Sequence, residues 1–291
     1  MGVAGPYERD VVVRNGSITL AGTLLMPAGA GPHPAVVFVH GSGDASRQEN
    51  HWLAAELQQA GIAALIYDKR GAGSSTGDWV VSTFDDLAAD ALAGVRAVQG
   101  YPGIDPEHVG LYGQSQGGWI VPLAASHSAD VAFVIVVSAA GVNPRYQMRY
   151  LFMCMSRAAG VSGVHLALRD LLYMLVTGVF IKLPPWLYPR RWGLKAGQEI
   201  YQFDPMPVWE RVRQPVLAIW GAADAVVPAH GSARVIERAL RRGGNREVTI
   251  RLLPGRDHIL QLVASGNRVE GESSYSDTIV AWICETVTRP R

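Results

Sequence analysis

The sequence predicts an α/β protein: a mostly parallel sheet with helices on both faces and one helical insertion over the strand ends. Three observations lead there. Short runs rich in Val, Ile and Leu alternate with longer stretches of helical character. The runs lack a strict apolar–polar alternation, as strands covered on both faces should. One long stretch, from about Val142 to Asp204, breaks the alternation and falls between two sheet strands.

The elements follow in order. Val11–Arg14 and Ser17–Met26 read as antiparallel strands, because Asn15-Gly16 between them is a strong hairpin signal. Pro27–Pro34 is a loop by its Gly/Pro content. The buried strands are Ala35–His40, Ala63–Tyr67, Val109–Tyr112, Val131–Ser138, Val216–Trp220 and Val248–Leu253. The helices between and after them are expected at about 49–60, 82–99, 116–127, 229–242 and 275–287. Core residues 1–141 and 205–291 therefore flank an insertion, 142–204, here called the cap. The cap contains an expected helix over Arg145–Ala159, a second over Val164–Phe180 and a Pro/Trp-rich loop, Leu183–Trp192.

Composition sets the limits on function. The chain has 291 residues, 48% hydrophobic and 18% charged, which suits a folded domain with a deep core and not a disordered one. A formal net charge of +1 gives no reason to invoke nucleic acid. Cys154 and Cys284 lie in no metal-binding spacing and read as small buried thiols, with a disulfide the open alternative. The first residues, MGVAGPYERD, do not read as a secretory signal, so a cytoplasmic location is the default expectation. The longest apolar run, Leu171–Ile181, reads as too short to span a bilayer.

Ligands of such sheets bind beyond the carboxyl ends of the strands, so chemistry is sought there. Gly113-Gln114-Ser115-Gln116-Gly117 sits between an expected strand and an expected helix. A tight strand-to-helix turn exposes a serine hydroxyl, and its crowding explains the flanking glycines. Ser115 is thus the candidate nucleophile. His258, just past the last strand, is the candidate base. Asp224, directly after Val216–Trp220, is the candidate acid that holds the imidazole in one tautomer. Asp257 adjoins His258 but reads as a solvated or turn residue. Backbone N–H groups of Gln116 and of Ser42, in His40-Gly41-Ser42-Gly43, are the expected oxyanion donors, with Gly43 next in line.

Together these stretches resemble the α/β-hydrolase superfamily over nearly the whole chain. Within it the sequence is similar to bacterial carboxylesterases of the cinnamoyl/feruloyl esterase and dienelactone-hydrolase-like group. The matching segments are 40–43, Asp68-Lys69-Arg70-Gly71-Ala72-Gly73-Ser74-Ser75, 113–118, 221–228 and Asp257-His258. The resemblance implies a serine hydrolase with Ser42 and Gln116 as oxyanion donors, and neither metal nor organic cofactor. It also marks Asp68–Ser75 as a turn beside the site, in which Arg70 reads as a loop-fixing residue.

The expected activity is hydrolysis of small to medium, partly apolar carboxylic esters through an acyl-enzyme. Thioesterase, lactonase and peptidase activities of the same fold are the alternatives, and a non-catalytic ligand-binding member is a further one. Between Asn143 and Ile200 the cap carries eight Lys/Arg against only Asp170 and Glu199. A basic cap argues against anchoring a substrate ammonium. Its apolar residues, among them Leu151, Phe152, Met155, Leu171, Tyr173 and Phe180, are expected either to line the pocket or to bind the cap to the core. Contact with a membrane surface or a second copy is the other possibility for this amphipathic stretch.

Overall fold

A computed structural model describes residues 5–184, 194–264, 267–269 and 275–289. Its main sheet has eight strands. Hairpin strands β1 (Tyr7–Asn15) and β2 (Ile18–Met26) pair antiparallel around Asn15-Gly16, where Gly16 takes φ +57°. Strands β3 (His33–Val39), β4 (Ala63–Tyr67), β5 (Ile104–Gln114), β6 (Val134–Val137), β7 (Val216–Gly221) and β8 (Val248–Leu253) follow. The spatial order is β1-β2-β4-β3-β5-β6-β7-β8. β2 pairs antiparallel with β4, and every pairing from β4 to β8 is parallel. A short antiparallel pair, β9 (Leu262–Ala264) and β10 (Asn267–Val269), was not expected from the sequence.

The central strands are buried on both sides, and alternate residues enter different cores. Ala35, Val37 and Val39 face one layer, whereas Val36 and Phe38 face the other. The first layer is built by α2 (Phe84–Gln99), α3 (Gly117–His127) and α8 (Ala229–Arg242). The second is built by α1 (His51–Gln59), preceded by a 3-10 turn at Arg47–Asn50, and by α9 (Tyr275–Val287). Helix α2 starts at a capping box: Thr83 accepts from the Asp86 N–H and the Asp86 carboxylate accepts from the Thr83 N–H. The fold is therefore the expected α/β-hydrolase architecture. One strand is shorter than expected. Val131–Ser138 contributes only β6: the strand begins at Val134 rather than Val131 and ends at Val137, where Ser138 turns to φ +51°.

Between β6 and β7 run α4 (Pro144–Ala158), α5 (Gly163–Phe180), α6 (Leu194–Gln202) and the short α7 (Met206–Trp209). Asn143 caps α4 through Tyr146 N–H, with Pro144 at its first position. From residue 185 onward the expected Pro/Trp-rich loop lies outside the described residues. Three expectations need correction. Leu171 and Met155 are exposed to solvent and so do not bind the insertion to the core. Cys154 and Cys284 are free, and neither is fully buried, Cys284 being exposed on α9. Finally, the apolar run starting at Leu171 belongs to an 18-residue helix of mean hydropathy 1.3, long and apolar enough to cross a bilayer by length and composition. The apolar run taken alone begins after Arg169-Asp170, whereas the helix, expected over Val164–Phe180, continues through them.

Candidate active site

Six strand ends supply the site. β5 runs into α3 through Ser115, which adopts φ +54°, a left-handed conformation costly for a side-chain-bearing residue. The surrounding packing enforces it. A Cβ on Gly113 would lie 2.5 Å from the carbonyl oxygen of Gly117, and one on Gly117 would lie 2.8 Å from that of Val39. Gly118 is equally crowded by Ala139. The glycines are thus a steric requirement of the turn that lifts Ser115 above the sheet.

The structure brings the three widely spaced side chains together. His258 Nε2 lies 3.0 Å from Ser115 Oγ, and His258 Nδ1 lies 2.8 Å from Asp224 Oδ2. Asp224 is buried, and its other oxygen accepts the N–H groups of Val226 (2.7 Å) and Val227 (2.8 Å). Two backbone donors thereby fix the carboxylate so that one oxygen is left for the imidazole. Such a row can lower the cost of removing the serine proton, because the ionised aspartate stabilises an imidazolium. Asp257 serves its own turn instead, accepting from Ile259 and Gln261 N–H, both at 3.0 Å.

The 40–43 loop approaches from β3. Gly41 is its point of contact: a Cβ there would sit 3.7 Å from both Ser115 Cβ and the Gln114 carbonyl oxygen. Ser42 follows on the exposed side. His40 is buried edge-on to Tyr67, with ring centroids 5.1 Å apart. Burial, with the nearby Lys69 charge, pushes its pKa down to about 4. Arg70 fixes the adjoining loop, as expected. Its guanidinium forks onto Asp90 at 2.6 and 2.8 Å and also donates to the Asp86 carbonyl.

Three participants escaped the sequence reading. Lys69 is almost fully buried, yet its ammonium donates to three oxygens: Gly41 O at 2.9 Å, Gly43 O at 3.3 Å and Gln116 Oε1 at 2.9 Å. It joins the 40–43 loop to the residue after Ser115. Burial lowers its pKa to about 8, against the opposing pull of Glu49 and Asp44. Ser138 Oγ donates to the His258 carbonyl at 2.7 Å and anchors the loop carrying the imidazole. Tyr150, on α4, donates to the Asp224 carbonyl at 3.1 Å. Lys69 and Ser138 each directly follow a strand or its first loop residue, so strand-end position was the signal available. Tyr150 offered none. Among the described residues no group of three or more His, Cys, Asp or Glu is arranged to hold a metal ion.

A family model described as serine aminopeptidase, S33, matches residues 30–177, slightly more than half the chain and including the 40–43 loop, the Asp68–Ser75 turn and Ser115. The chain belongs to this family. Two curated relatives place this S33-family chain further. An uncharacterised protein of Mycobacterium tuberculosis is 29% identical over 239 residues, 80% of this chain and 68% of that one. Esterase EstD of Thermotoga maritima is 27% identical over 266 residues. That alignment covers 88% of this chain but only 58% of the esterase, so this chain spans little more than half of that relative. Among solved structures, Est1E of Butyrivibrio proteoclasticus with bound ferulic acid superposes with a TM-score of 0.62 at 18% identity. The match covers 95% of this chain and 97% of that one and shows the shared fold. This S33-family member is therefore a hydrolase of the α/β-hydrolase type.

Proposed function

We propose that the protein is a serine carboxylic ester hydrolase acting on small to medium, partly apolar esters through an acyl-enzyme. One observation carries this reading: the unbroken row from Ser115 Oγ through His258 to Asp224, at 3.0 and 2.8 Å, on a strained turn. Ser115 Oγ attacks the ester carbonyl while His258 Nε2 takes its proton. The tetrahedral oxyanion accepts the N–H groups of Gln116 and Ser42. Collapse expels the alcohol, which leaves with the proton held by His258. Water then attacks the acyl group by the same route, and the carboxylic acid departs. Asp224 stays ionised throughout.

Two observations favour esters over peptides, despite the family's description. EstD, an esterase, aligns over most of this chain. The insertion is basic and short of carboxylates to hold a substrate ammonium. The test is a panel of matched nitrophenyl ester, thioester and aminoacyl anilide substrates. Turnover is expected to be highest on the oxygen ester and to fall by at least about 10³-fold in Ser115→Ala. Preference for the anilide would make the protein a peptidase, and full activity in Ser115→Ala would remove Ser115 from the chemistry.

A further inference from the structure

Helix α5 is packed inside out. Thr177 is its one buried residue. The side turned toward α4 is polar and bonded: Asp170 pairs with Arg149 at 2.5 Å, and Thr177 accepts from Arg145 at 3.0 Å. Tyr173 completes this side, donating to the Arg145 carbonyl at 3.1 Å. The opposite side carries Val164, Leu168, Leu171, Leu172, Leu175 and Val179, each 56–66% exposed. Their spacing (i, i+4, i+7, i+8, i+11, i+15) is one helix face. A soluble helix ordinarily buries such a stripe and exposes the polar side. Here the polar side is spent on holding the helix in place, and the apolar side is left outward.

Charge selects what covers it. The exposed cations Arg169, which also donates to Ser156 of α4 at 3.4 Å, and Lys182, which meets Leu175 and Val179, border the stripe, with His165 on the same helix. The one carboxylate on α5, Asp170, is turned inward to Arg149. At the C-terminal end the stripe borders an open cavity of about 520 Å³, where Leu175, Val179 and Leu183 meet Arg145 and Lys182. A second copy would bring the same cations together without carboxylates from α5 to answer them. A strip about 27 Å long and 10 Å wide, paired with itself, also hides only on the order of 600 Å². That is about half of what a stable interface needs. A bilayer surface bearing anionic headgroups answers both features, accepting the apolar stripe below and the cations at the headgroup level.

We infer that α5 docks the protein onto anionic phospholipid surfaces, lying in the plane of the interface. The helix is about 27 Å long, near the thickness of the hydrocarbon core. It does not cross, because Arg169 and Asp170 sit mid-helix and six hydrogen bonds tie it to α4. The docking is independent of the chemistry at Ser115. Helix α4, which holds α5, also reaches the site: Gln147 donates to Val226 O and Tyr150 to Asp224 O.

Vesicle flotation of the full chain tests the inference. Vesicles of phosphatidylcholine with a minority of phosphatidylglycerol are compared with pure phosphatidylcholine. Binding to the mixed vesicles is expected, weaker by about tenfold or more on the neutral ones. The pair Leu168→Gln/Leu175→Gln and the pair Arg169→Gln/Lys182→Gln should each weaken binding to mixed vesicles by a similar factor. Hydrolysis of a short, soluble nitrophenyl ester should be unchanged in both and reports that they remain folded. If either pair misfolds, the wild-type comparison of the two vesicle types still decides. No binding, or equal binding to both vesicles, overturns the inference. So does sedimentation showing a dimer that Leu168→Gln/Leu175→Gln dissociates, which would assign the stripe to a second copy.

Discussion

Replacing Lys69 by Met tests whether the proposed oxyanion donors are held by a buried ammonium. Methionine keeps the length and apolar body of the side chain and removes only the charge and its donors. Lys69 makes three charge-assisted hydrogen bonds, to Gly41 O, Gly43 O and Gln116 Oε1. At roughly 1.5–3 kcal/mol each they offer about 4.5–9 kcal/mol. Against this stands the desolvation that lowers the pKa from 10.5 to about 8, or about 3 kcal/mol. The net tie is thus about 1–6 kcal/mol, shared between the fold and the local placement of two backbone donors. If half is felt at the reacting carbonyl, kcat falls by roughly 2–150-fold, while KM moves less because the tie acts on the donors proposed to hold the transition-state oxyanion. The assay is steady-state hydrolysis of a nitrophenyl ester from pH 6 to 9.5, beside thermal unfolding of the same samples. Wild-type kcat should decline as pH rises through about 8, where Lys69 loses its proton, and Lys69→Met should lack that limb. Wild-type kcat in a folded Lys69→Met variant, or an alkaline limb that survives the substitution, would refute the reasoning.

Other consequences follow from the same geometry. Asp224→Asn should lower kcat by about 10⁴-fold with little loss of fold. Its amide oxygen can still accept from Val226 and Val227, but its NH₂ then faces His258 Nδ1 and forces the proton onto Nε2, toward Ser115. Gly113→Ala should lower the melting temperature by several degrees and abolish activity together, because the new Cβ meets backbone at Gly117 and costs about 1–3 kcal/mol. His40 titrates near 4 when folded and near 6.5 when unfolded, so the unfolded chain binds the extra proton between those values. Stability should therefore fall as pH drops from about 6.5 to 4, by up to about 3 kcal/mol from this group. Denaturant titrations of His40→Gln should show a shallower loss over that window than wild type.

Sheet and site were legible in different degrees, for physical reasons. Doubly covered strands such as Ala63–Tyr67 announce themselves as short apolar runs, and α8 and α9 match their expected bounds, 229–242 and 275–287. The Ser115 turn was legible because its glycines answer a steric demand made by Gly117 O and Val39 O. Lys69 was not, since a lysine in a turn reads as a solvated charge until the three oxygens that surround it are located. Ser138 closes an apolar run and reads as its last strand residue. Its role depends on a left-handed backbone and on a partner 120 positions away. The insertion misled most. Hydrophobic periodicity finds α5 but assumes that the apolar face points inward, and only the Arg145 and Arg149 bonds to Thr177 and Asp170 reveal the reverse.

The central claim is that His258 and Asp224 make the Ser115 hydroxyl a nucleophile. Peptide mapping by mass spectrometry, after brief exposure to a serine-directed fluorophosphonate, tests it most directly. A single adduct on the peptide containing Ser115 is expected, slowed by orders of magnitude in His258→Ala and in step with loss of ester turnover. Labelling at another residue, or no adduct in protein that still turns over esters, would contradict it.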